Sequence, residues 1–170
     1  MSAISSPAQL HKTNDKWNLY YHLPTNKDWS LNSYTAIAKD IDCMEQVIKI
    51  NETMNDSLIK NCMLFVMKEN ITPMWEDPKN RDGGCFSYKI SNKFVGEVWK
   101  SLFYLLSGNN ICVNSKHNMY VNGITISPKK NFCILKIWLN VSNLQDPNII
   151  QPIPNLSTQG CLFKRHAPEF

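Results

Sequence analysis

The strongest constraint on the fold is one amphipathic helix set among segments of strand-like alternation. Apolar residues recur at helical spacing over residues 94–106, and Gly108 follows where a residue just beyond the helix C-terminus is expected. Further on, residues 123–127 and 132–141 alternate in polarity around a turn at 128–131, which predicts a β-hairpin. Strands are in the majority and neighbours pair as hairpins. This pattern predicts an antiparallel α+β domain with helices on one face.

The other segments fit the same architecture. Asp42 and Glu45 have the spacing of a helix capping box, so a helix is expected to start there. After Asn143 a regular helix of any length is excluded by Pro147, Pro152 and Pro154. Further strands are predicted over residues 16–22, 33–38, 61–67, 85–90 and 161–164.

Length and composition indicate a single domain. With 170 residues and 43% hydrophobic content, the chain can bury a full core. We expect residues 1–14 to form a flexible tail and residues 15–170 to form one domain, since no linker or repeat interrupts them. No stretch has the length and polarity of a signal peptide or a membrane span, so no membrane partner is expected.

The cysteines indicate the redox compartment of the protein, and the net charge indicates the kind of partner it binds. The six cysteines are scattered without a C-x-x-C pair, which favours buried or half-buried thiols in a reducing cytoplasm over structural zinc. The net charge of +4 suits a protein that meets phosphates at one place, and does not suit one that follows a DNA backbone.

A polar loop between predicted strands carries the most informative chemistry. There, Trp75 stands directly beside Glu76. An indole offers a flat π-surface, and a carboxylate offers two parallel hydrogen-bond acceptors. Guanine fits both, because its N1–H and N2–H₂ edge can donate two parallel hydrogen bonds. The loop therefore predicts recognition of a flat ligand of the guanine type.

The residues around this loop resemble the eukaryotic translation initiation factor 4E family. The core of the resemblance is Ile-Thr-Pro-Met-Trp-Glu-Asp-Pro-Lys-Asn-Arg-Asp-Gly-Gly, residues 71–84. It extends upstream to Trp17 and Trp29, and downstream to Trp99 and Trp138, so it covers most of the chain. The abundance of Asn, Ile and Lys points to an AT-rich genome, so we expect a divergent member of viral or protist origin.

The resemblance implies a fold and a ligand. Members of the family bind the 7-methylguanosine cap of mRNA on the concave face of a curved antiparallel sheet, with helices on the convex face. By position, Trp29 and Trp75 would sandwich the base, Glu76 would accept its Watson–Crick edge, and Trp138 would touch the N7 methyl group. Methylation makes the base cationic, and indole has the best π-face for a cation.

Phosphate contacts depart from the family pattern. Lys129 stands where the family has an arginine, with Lys130 beside it, whereas the family's strand lysine is Ile134 here. Lys136 lies two residues further on the same predicted sheet face and is the expected substitute. In the C-terminal segment, Lys164 is a further candidate.

The docking surface for a scaffold-type initiation factor, or a divergent equivalent, is also expected to differ. Residues 142–160 are too short and proline-rich for the family's third long helix, which we expect to be missing. The family's convex-face tryptophan corresponds to Val47, or to Ile48 with a slip of one residue. The altered docking positions are His11, Cys43, Val47, Lys100 and Tyr104.

Two functions follow as hypotheses. The first is non-enzymatic binding of capped mRNA, m7GTP or m7GpppN in translation initiation, without a cofactor or metal. The second is a repressor or viral competitor that occupies caps without the usual scaffold. An enzyme would need clustered carboxylates, a nucleophile with its base, or a phosphate-binding loop, and none stands in the sequence. The four histidines are isolated in sequence, and we expect them to be surface or edge residues.

Overall fold

The computed structural model describes residues 8–170, which form a seven-stranded antiparallel sheet. The strand order is β2-β1-β3-β5-β6-β4-β7, and the sheet is curved. The strands are β1 Lys12–His22, β2 Thr35–Cys43, β3 Met63–Lys68, β4 Gly84–Ser91, β5 Val121–Pro128, β6 Phe132–Leu139 and β7 Leu162–Arg165.

Three α-helices cover one face of the sheet: α1 Met44–Thr53, α2 Asp56–Asn61 and α3 Val95–Ser107. Between them and the sheet lies the main hydrophobic core, which includes Leu19, Trp99 and Ile137. The alternation along each strand sends the intervening residues to the opposite face. There a second, smaller apolar cluster gathers, formed by Phe65, Met67, Ile71, Cys85 and Trp138. We call it the concave cluster. The predicted α+β class is confirmed.

Helix α3 confirms the predicted amphipathic helix. Its side chains at Trp99, Leu102 and Phe103 are fully buried. The end differs from the prediction, because Gly108 has a φ of −77° and the left-handed residue is Asn109, with a φ of 55°. Asn tolerates this conformation because its short side chain can bond locally. The helix is therefore closed by the asparagine after the glycine.

The start of helix α1 contradicts the predicted capping box. Asp42 is the penultimate residue of β2, and the N-cap residue is Cys43, whose side chain makes no capping hydrogen bond. The Asp42 carboxylate instead accepts a hydrogen bond from Lys12 Nζ at 2.6 Å across the strand pair. A contact between distant residues thus overrides the local motif. Helix α2, capped by the Asn55 side chain, was not predicted.

The ends of the chain agree in part with expectation. Strand β1 already includes residues 12–14, which were assigned to the tail, and residues 1–7 lie outside the described part. Residues 142–160 contain only a short 3₁₀ helix, Pro147–Ile149, so the third long helix is missing as expected. The last edge strand is confirmed, since β7 pairs with β4.

Within residues 8–170, no helix combines the length and the hydrophobicity needed to cross a bilayer. The six cysteines all lie in this part as free thiols, each buried or half-buried as expected.

Candidate functional site

The sheet face opposite the helices brings together three of the residues predicted for the site. Cross-strand partners share a face, and the register places Lys136 between Thr125 and Ser87. In the adjacent row on that face lies Trp138, and the same row ends at the edge strand with Lys164. Lys136, Trp138 and Lys164 therefore line one surface.

Trp138 forms the fixed floor of this surface. Its side chain is 4% exposed, and its Nε1 donates a hydrogen bond to Thr125 Oγ1 at 3.1 Å. Strand β3 approaches closely at the neighbouring Gly123, where a Cβ atom would lie 2.2 Å from the Val66 carbonyl oxygen. Only glycine fits there. The indole is held in place by its hydrogen bond and by close strand packing.

The loop between β3 and β4 is folded by its own buried polar residues. The Asp77 carboxylate accepts hydrogen bonds from the Thr72 backbone N–H at 2.7 Å, the Thr72 hydroxyl at 2.9 Å and the Lys79 N–H at 2.8 Å. A carboxylate that accepts several N–H and O–H bonds fixes the backbone around it. Asp77 therefore shapes the segment that carries Trp75 and Glu76.

Two buried amide side chains, those of Asn80 and Asn122, connect this loop to the sheet. The Asn80 side chain donates to the carbonyl oxygens of Thr72 at 3.0 Å and Met74 at 2.9 Å. From strand β5, the Asn122 amide donates to Asn80 Oδ1 at 2.8 Å. Within the 71–84 motif, Thr72, Asp77 and Asn80 thus have a structural role in holding the loop that carries Trp75 and Glu76.

Trp75 is half-buried against the concave cluster. Its ring lies nearly parallel to that of His166, with centroids 5.9 Å apart and planes 16° apart. Lys136 Nζ lies 5.7 Å from the centroid of the Trp75 ring, within the range of a cation–π contact. Trp75 therefore joins the surface formed by Lys136 and Trp138.

Glu76 is half-buried next to Trp75, and its carboxylate interacts with Glu169 and Tyr34. Its Oε1 atom accepts a long hydrogen bond, 3.4 Å, from the backbone N–H of Glu169. Burial raises the pKa of Tyr34 to about 12, and the charge of Glu76 acts in the same direction. Tyr34 follows the loop that carries Trp29 and packs against the concave cluster, so the Glu76 carboxylate lies within electrostatic range of a residue next to that second loop.

Trp29 is the exposed aromatic residue of the site. Its side chain is 47% exposed, and its ring stacks on that of His22 with centroids 4.1 Å and planes 1° apart. Tyr34 lies between this pair and the sheet, 5.2 Å from the Phe65 ring. The structure therefore brings the Trp29 loop and the Trp75–Glu76 loop to the same cluster.

The expectation that the histidines are surface or edge residues is wrong for two of them. His22 is fully buried and His166 is 7% exposed, and each stacks on one of the two predicted indoles. Sequence spacing carries no signal for either, because the contacts join distant segments. The only available hint is that an imidazole near an indole can stack on it.

One ring nitrogen of His166 is bonded to the loop that carries Trp75. Its Nδ1 lies 2.6 Å from the Asn80 carbonyl oxygen and must donate to it, since a carbonyl only accepts. Burial lowers the pKa of His166, and the positive charge of Lys136 lowers it further, against the effect of the Asn80 hydrogen bond. The folded protein therefore disfavours a proton on the remaining nitrogen.

We expect stability to fall in acid because of His166. Its pKa is lower in the folded chain, so the unfolded chain binds the proton more readily. The contribution is fully present above the usual histidine pKa of about 6.5 and is lost as the pH falls through the lowered value. Urea unfolding at several pH values measures this. A His166→Phe variant should show a shallower loss of unfolding free energy below about pH 6.5 than the wild type. Equal slopes in the variant and the wild type would contradict the assignment.

The lysines predicted to contact phosphate lie in two parts of the structure. Lys129 and Lys130 lie in the exposed turn between β5 and β6, where the Lys129 N–H donates to the Phe132 carbonyl at 2.8 Å. Ile134 faces the same side as Lys136, and its cross-strand partner is Lys89. Sequence reasoning missed Lys89, which places a cation beside the position where the family's strand lysine is absent.

Cys85 lies in the concave cluster near two of the predicted phosphate-binding lysines. Burial raises the pKa of the Cys85 thiol, while the positive charges of Lys136 and Lys164 act in the opposite direction. The thiol is 1% exposed. The cations at this place therefore come from the two lysines on either side of it.

The predicted docking positions on the helix side are corrected in part. Cys43 and Val47 are buried, at 2% and 0% exposure, so their side chains do not face a partner. Ile48, at 42%, is the exposed apolar residue of α1. Exposed His11 contacts the Glu45 carboxylate with its Nδ1 at 2.6 Å. The remaining two predicted docking residues are both half-buried on α3, namely Lys100 and Tyr104.

Comparison with known proteins relates this arrangement to one family. The family described as "Eukaryotic initiation factor 4E" matches residues 12–161. The eukaryotic translation initiation factor 4E homolog of Acanthamoeba polyphaga mimivirus is 34% identical over 79 residues, which cover 46% of this chain and 26% of that protein. This match spans about a quarter of the length of that relative.

Solved structures share the fold. Ascaris suum eIF4E-3, in a complex with the m7G cap, superposes with a TM-score of 0.70 at 20% identity, covering 80% of this chain and 77% of that one. Schistosome eIF4E, complexed with m7GpppG and 4E-BP, gives 0.68 at 24% identity, covering 79% and 75%. With the family match spanning residues 12–161, the conclusion is direct: this chain belongs to the eukaryotic initiation factor 4E family.

Proposed function

We propose that this chain binds the 7-methylguanosine cap of mRNA and acts in translation initiation. One observation carries the proposal. Trp75 and Glu76 are held beside Trp138 and Lys136 on one sheet face, and the loop of the exposed Trp29 reaches the same cluster. Two indoles, an acid and a cation are the groups that a cationic base with a triphosphate requires.

The two indoles supply the affinity for the base. A base stacked on an aromatic side chain is stabilised by about 1–3 kcal/mol. N7 methylation adds a delocalised positive charge, which the electron-rich face of indole attracts. The binding mode has the base between Trp29 and Trp75, with its methyl group toward Trp138. Unmethylated GTP lacks the cation–π contribution and binds more weakly.

Glu76 supplies recognition of the base edge. Its two carboxylate oxygens can accept the N1–H and N2–H₂ groups of guanine in parallel, a pairing that an adenine edge does not offer. In the free protein one of these oxygens accepts the long bond from the Glu169 N–H. The base edge would replace that contact with two shorter ones.

The triphosphate is assigned to the lysines on the same surface. Lys136 is the central one, because its Nζ lies beside the Trp75 ring. Lys89 and Lys164 lie on strands to one side, and Lys129 and Lys130 lie in the exposed turn. This set takes the place of the family's strand lysine, which is absent at Ile134.

The lysine assignment predicts a ligand-dependent effect. Lys136→Ala should weaken binding of m7GTP by about 1 kcal/mol or more and flatten its salt dependence, because one phosphate contact is lost. The effect on the m7G nucleoside should be much smaller. Titration calorimetry at several salt concentrations measures both, with Lys49→Ala on helix α1 as the control. An equal effect on both ligands would show that Lys136 serves the base or the fold instead.

The family and its solved structures support a binding role without catalysis. Schistosome eIF4E is described in a complex with m7GpppG and 4E-BP, and the Ascaris protein with the m7G cap. By extension we propose capped mRNA and a scaffold-type initiation factor, or a divergent equivalent, as the partners of this chain.

Retention on m7GTP-agarose tests the proposal. We expect the protein to be retained and to elute with free m7GTP but not with GTP at the same concentration. Equal elution by the two nucleotides would refute it and would favour a generic binder of nucleotides or single strands, which stacks on any base.

A second function, a cap-binding repressor or viral competitor, is favoured by the helix side of the molecule. There Val47 is buried at the position of the family's tryptophan, and α3 carries Lys100. A pull-down with the family's ordinary scaffold peptide tests this second function. Strong binding of that peptide would count against the repressor.

A further inference from the structure

His22 covers one face of the exposed indole of the site. The two rings are parallel within 1°, with centroids 4.1 Å apart, which is a stacked contact. His22 is itself fully buried, whereas Trp29 is 47% exposed. The exposed area of Trp29 therefore lies on the ring's other face and its edges.

His22 is also bonded to the loop that carries Trp29. Its Nε2 lies 2.8 Å from the carbonyl oxygen of Asp28, the residue just before Trp29, and its Nδ1 lies 2.9 Å from the carbonyl oxygen of Leu23. Carbonyl oxygens only accept, so the ring donates at least one of these bonds in either neutral tautomer and both when protonated. The His22 ring thereby contacts both ends of the segment 23–28 and donates a hydrogen bond to at least one of them.

Asp28, the residue before Trp29, also forms a tight turn with Ser30. The Asp28 carboxylate accepts hydrogen bonds from the Ser30 N–H at 2.8 Å and from the Ser30 hydroxyl at 3.0 Å. These two bonds lower the pKa of the Asp28 carboxyl, with a smaller contribution from nearby His22. Trp29 therefore sits between two hydrogen-bonded neighbours.

This arrangement connects the loop to the sheet. His22 is the last residue of β1 and pairs with Met63 of β3. Its ring also packs at 5.2 Å against Tyr34, which in turn meets Phe65 of the concave cluster edge-on. A ring that is anchored in the sheet can hold an exposed ring in place.

We infer that His22 is the positioning residue of Trp29, and that the base stacks on the indole face opposite His22. The inference rests on the proposed function and makes it more specific. Holding the indole before the ligand arrives lowers the entropy lost on binding. It also leaves one face for the ligand, because the other is taken.

Two variants separate the stacking from the hydrogen bonds. His22→Ala removes both and should lower the affinity for m7GTP about fivefold or more, the size of a typical aromatic pair contact. His22→Phe keeps a flat ring without the donors, and should recover part of that loss. Calorimetric titration measures both. If His22→Phe binds as weakly as His22→Ala, or if both bind like the wild type, stacking does not position the indole.

A double-mutant cycle distinguishes positioning from a general structural role. If His22 acts through Trp29, then His22→Ala should lower affinity by less than about twofold in a Trp29→Ala background. The same fold loss in both backgrounds would overturn the inference. A general role in folding predicts that additive result.

A measurement without ligand keeps the inference separate from the proposed function. In ¹H–¹⁵N spectra the Trp29 indole signal, identified by its loss in Trp29→Ala, should shift in both His22 variants, while those of Trp17 and Trp99 in the core stay in place. An unmoved Trp29 signal overturns the inference even if the cap binds. Failure of the wild type to bind m7GTP, with the Trp29 signal shifted, overturns the proposed function and leaves His22 as the residue that holds this loop.

Discussion

Alanine in place of Trp75 is expected to weaken m7GTP binding by about 1–3 kcal/mol, the contribution of one base stacked on an aromatic ring. Trp75 lies half-buried in a loop held by Asp77 and Asn80, so its orientation is set before the ligand arrives. Fluorescence or calorimetric titration with m7GTP measures the loss. Because methylation supplies the cation–π term, the loss should be larger for m7GTP than for GTP.

The control for this variant must separate stacking from packing, since Trp75 also contacts His166 and the concave cluster. Trp75→Phe keeps a smaller π-face in the same place and should retain part of the binding. Thermal unfolding of both variants reports the packing cost. Unchanged m7GTP affinity in a folded Trp75→Ala protein would remove Trp75 from the site.

Glutamine in place of Glu76 is expected to cost a similar amount, about 1–3 kcal/mol, as for loss of a bidentate base contact. Glutamine has one acceptor oxygen and an NH₂ group, so one base donor would face another donor. The substitution also removes the negative charge opposite a cationic base. The loss should therefore be larger for m7GTP than for GTP, and titration with both nucleotides measures the difference.

Glu169→Gln is the matched control for this substitution. Glu169 is exposed and contacts Glu76 only through its backbone N–H, which the change leaves intact. Its affinity for m7GTP should stay within about twofold of the wild type, as for a surface substitution. Equal losses in Glu76→Gln and Glu169→Gln would indicate a general charge effect and no specific base contact.

Local sequence patterns correctly predicted the elements that are encoded within a single segment of the chain. Helix α3 and the β5–β6 hairpin were predicted because apolar periodicity and a turn are encoded within each segment. The capping box at Asp42 failed for the opposite reason. Its carboxylate is taken by Lys12 of the neighbouring strand, a residue that local sequence does not bring into consideration. Predictions thus failed where distant residues competed for the same group.

The candidate site likewise combines residues that could be named from the sequence with residues that only long-range contacts bring there. Trp29, Trp75 and Glu76 could be named from the 71–84 motif and its family resemblance, and the structure brings their two loops to one cluster. Neither the roles of His22 and His166 nor the place of Lys89 beside Ile134 could be named in advance. These depend on strand register and on the path of the C-terminal segment.

The sequence predicted the class of fold and the candidate residues Trp75 and Glu76, because periodicity and short motifs are encoded in consecutive residues. The tertiary structure decided which groups meet. It buried Val47, stacked a histidine on each of the two indoles and brought the Glu169 N–H to Glu76. Such contacts join residues far apart in the chain, and only the pairing and packing of the whole sheet fixes them.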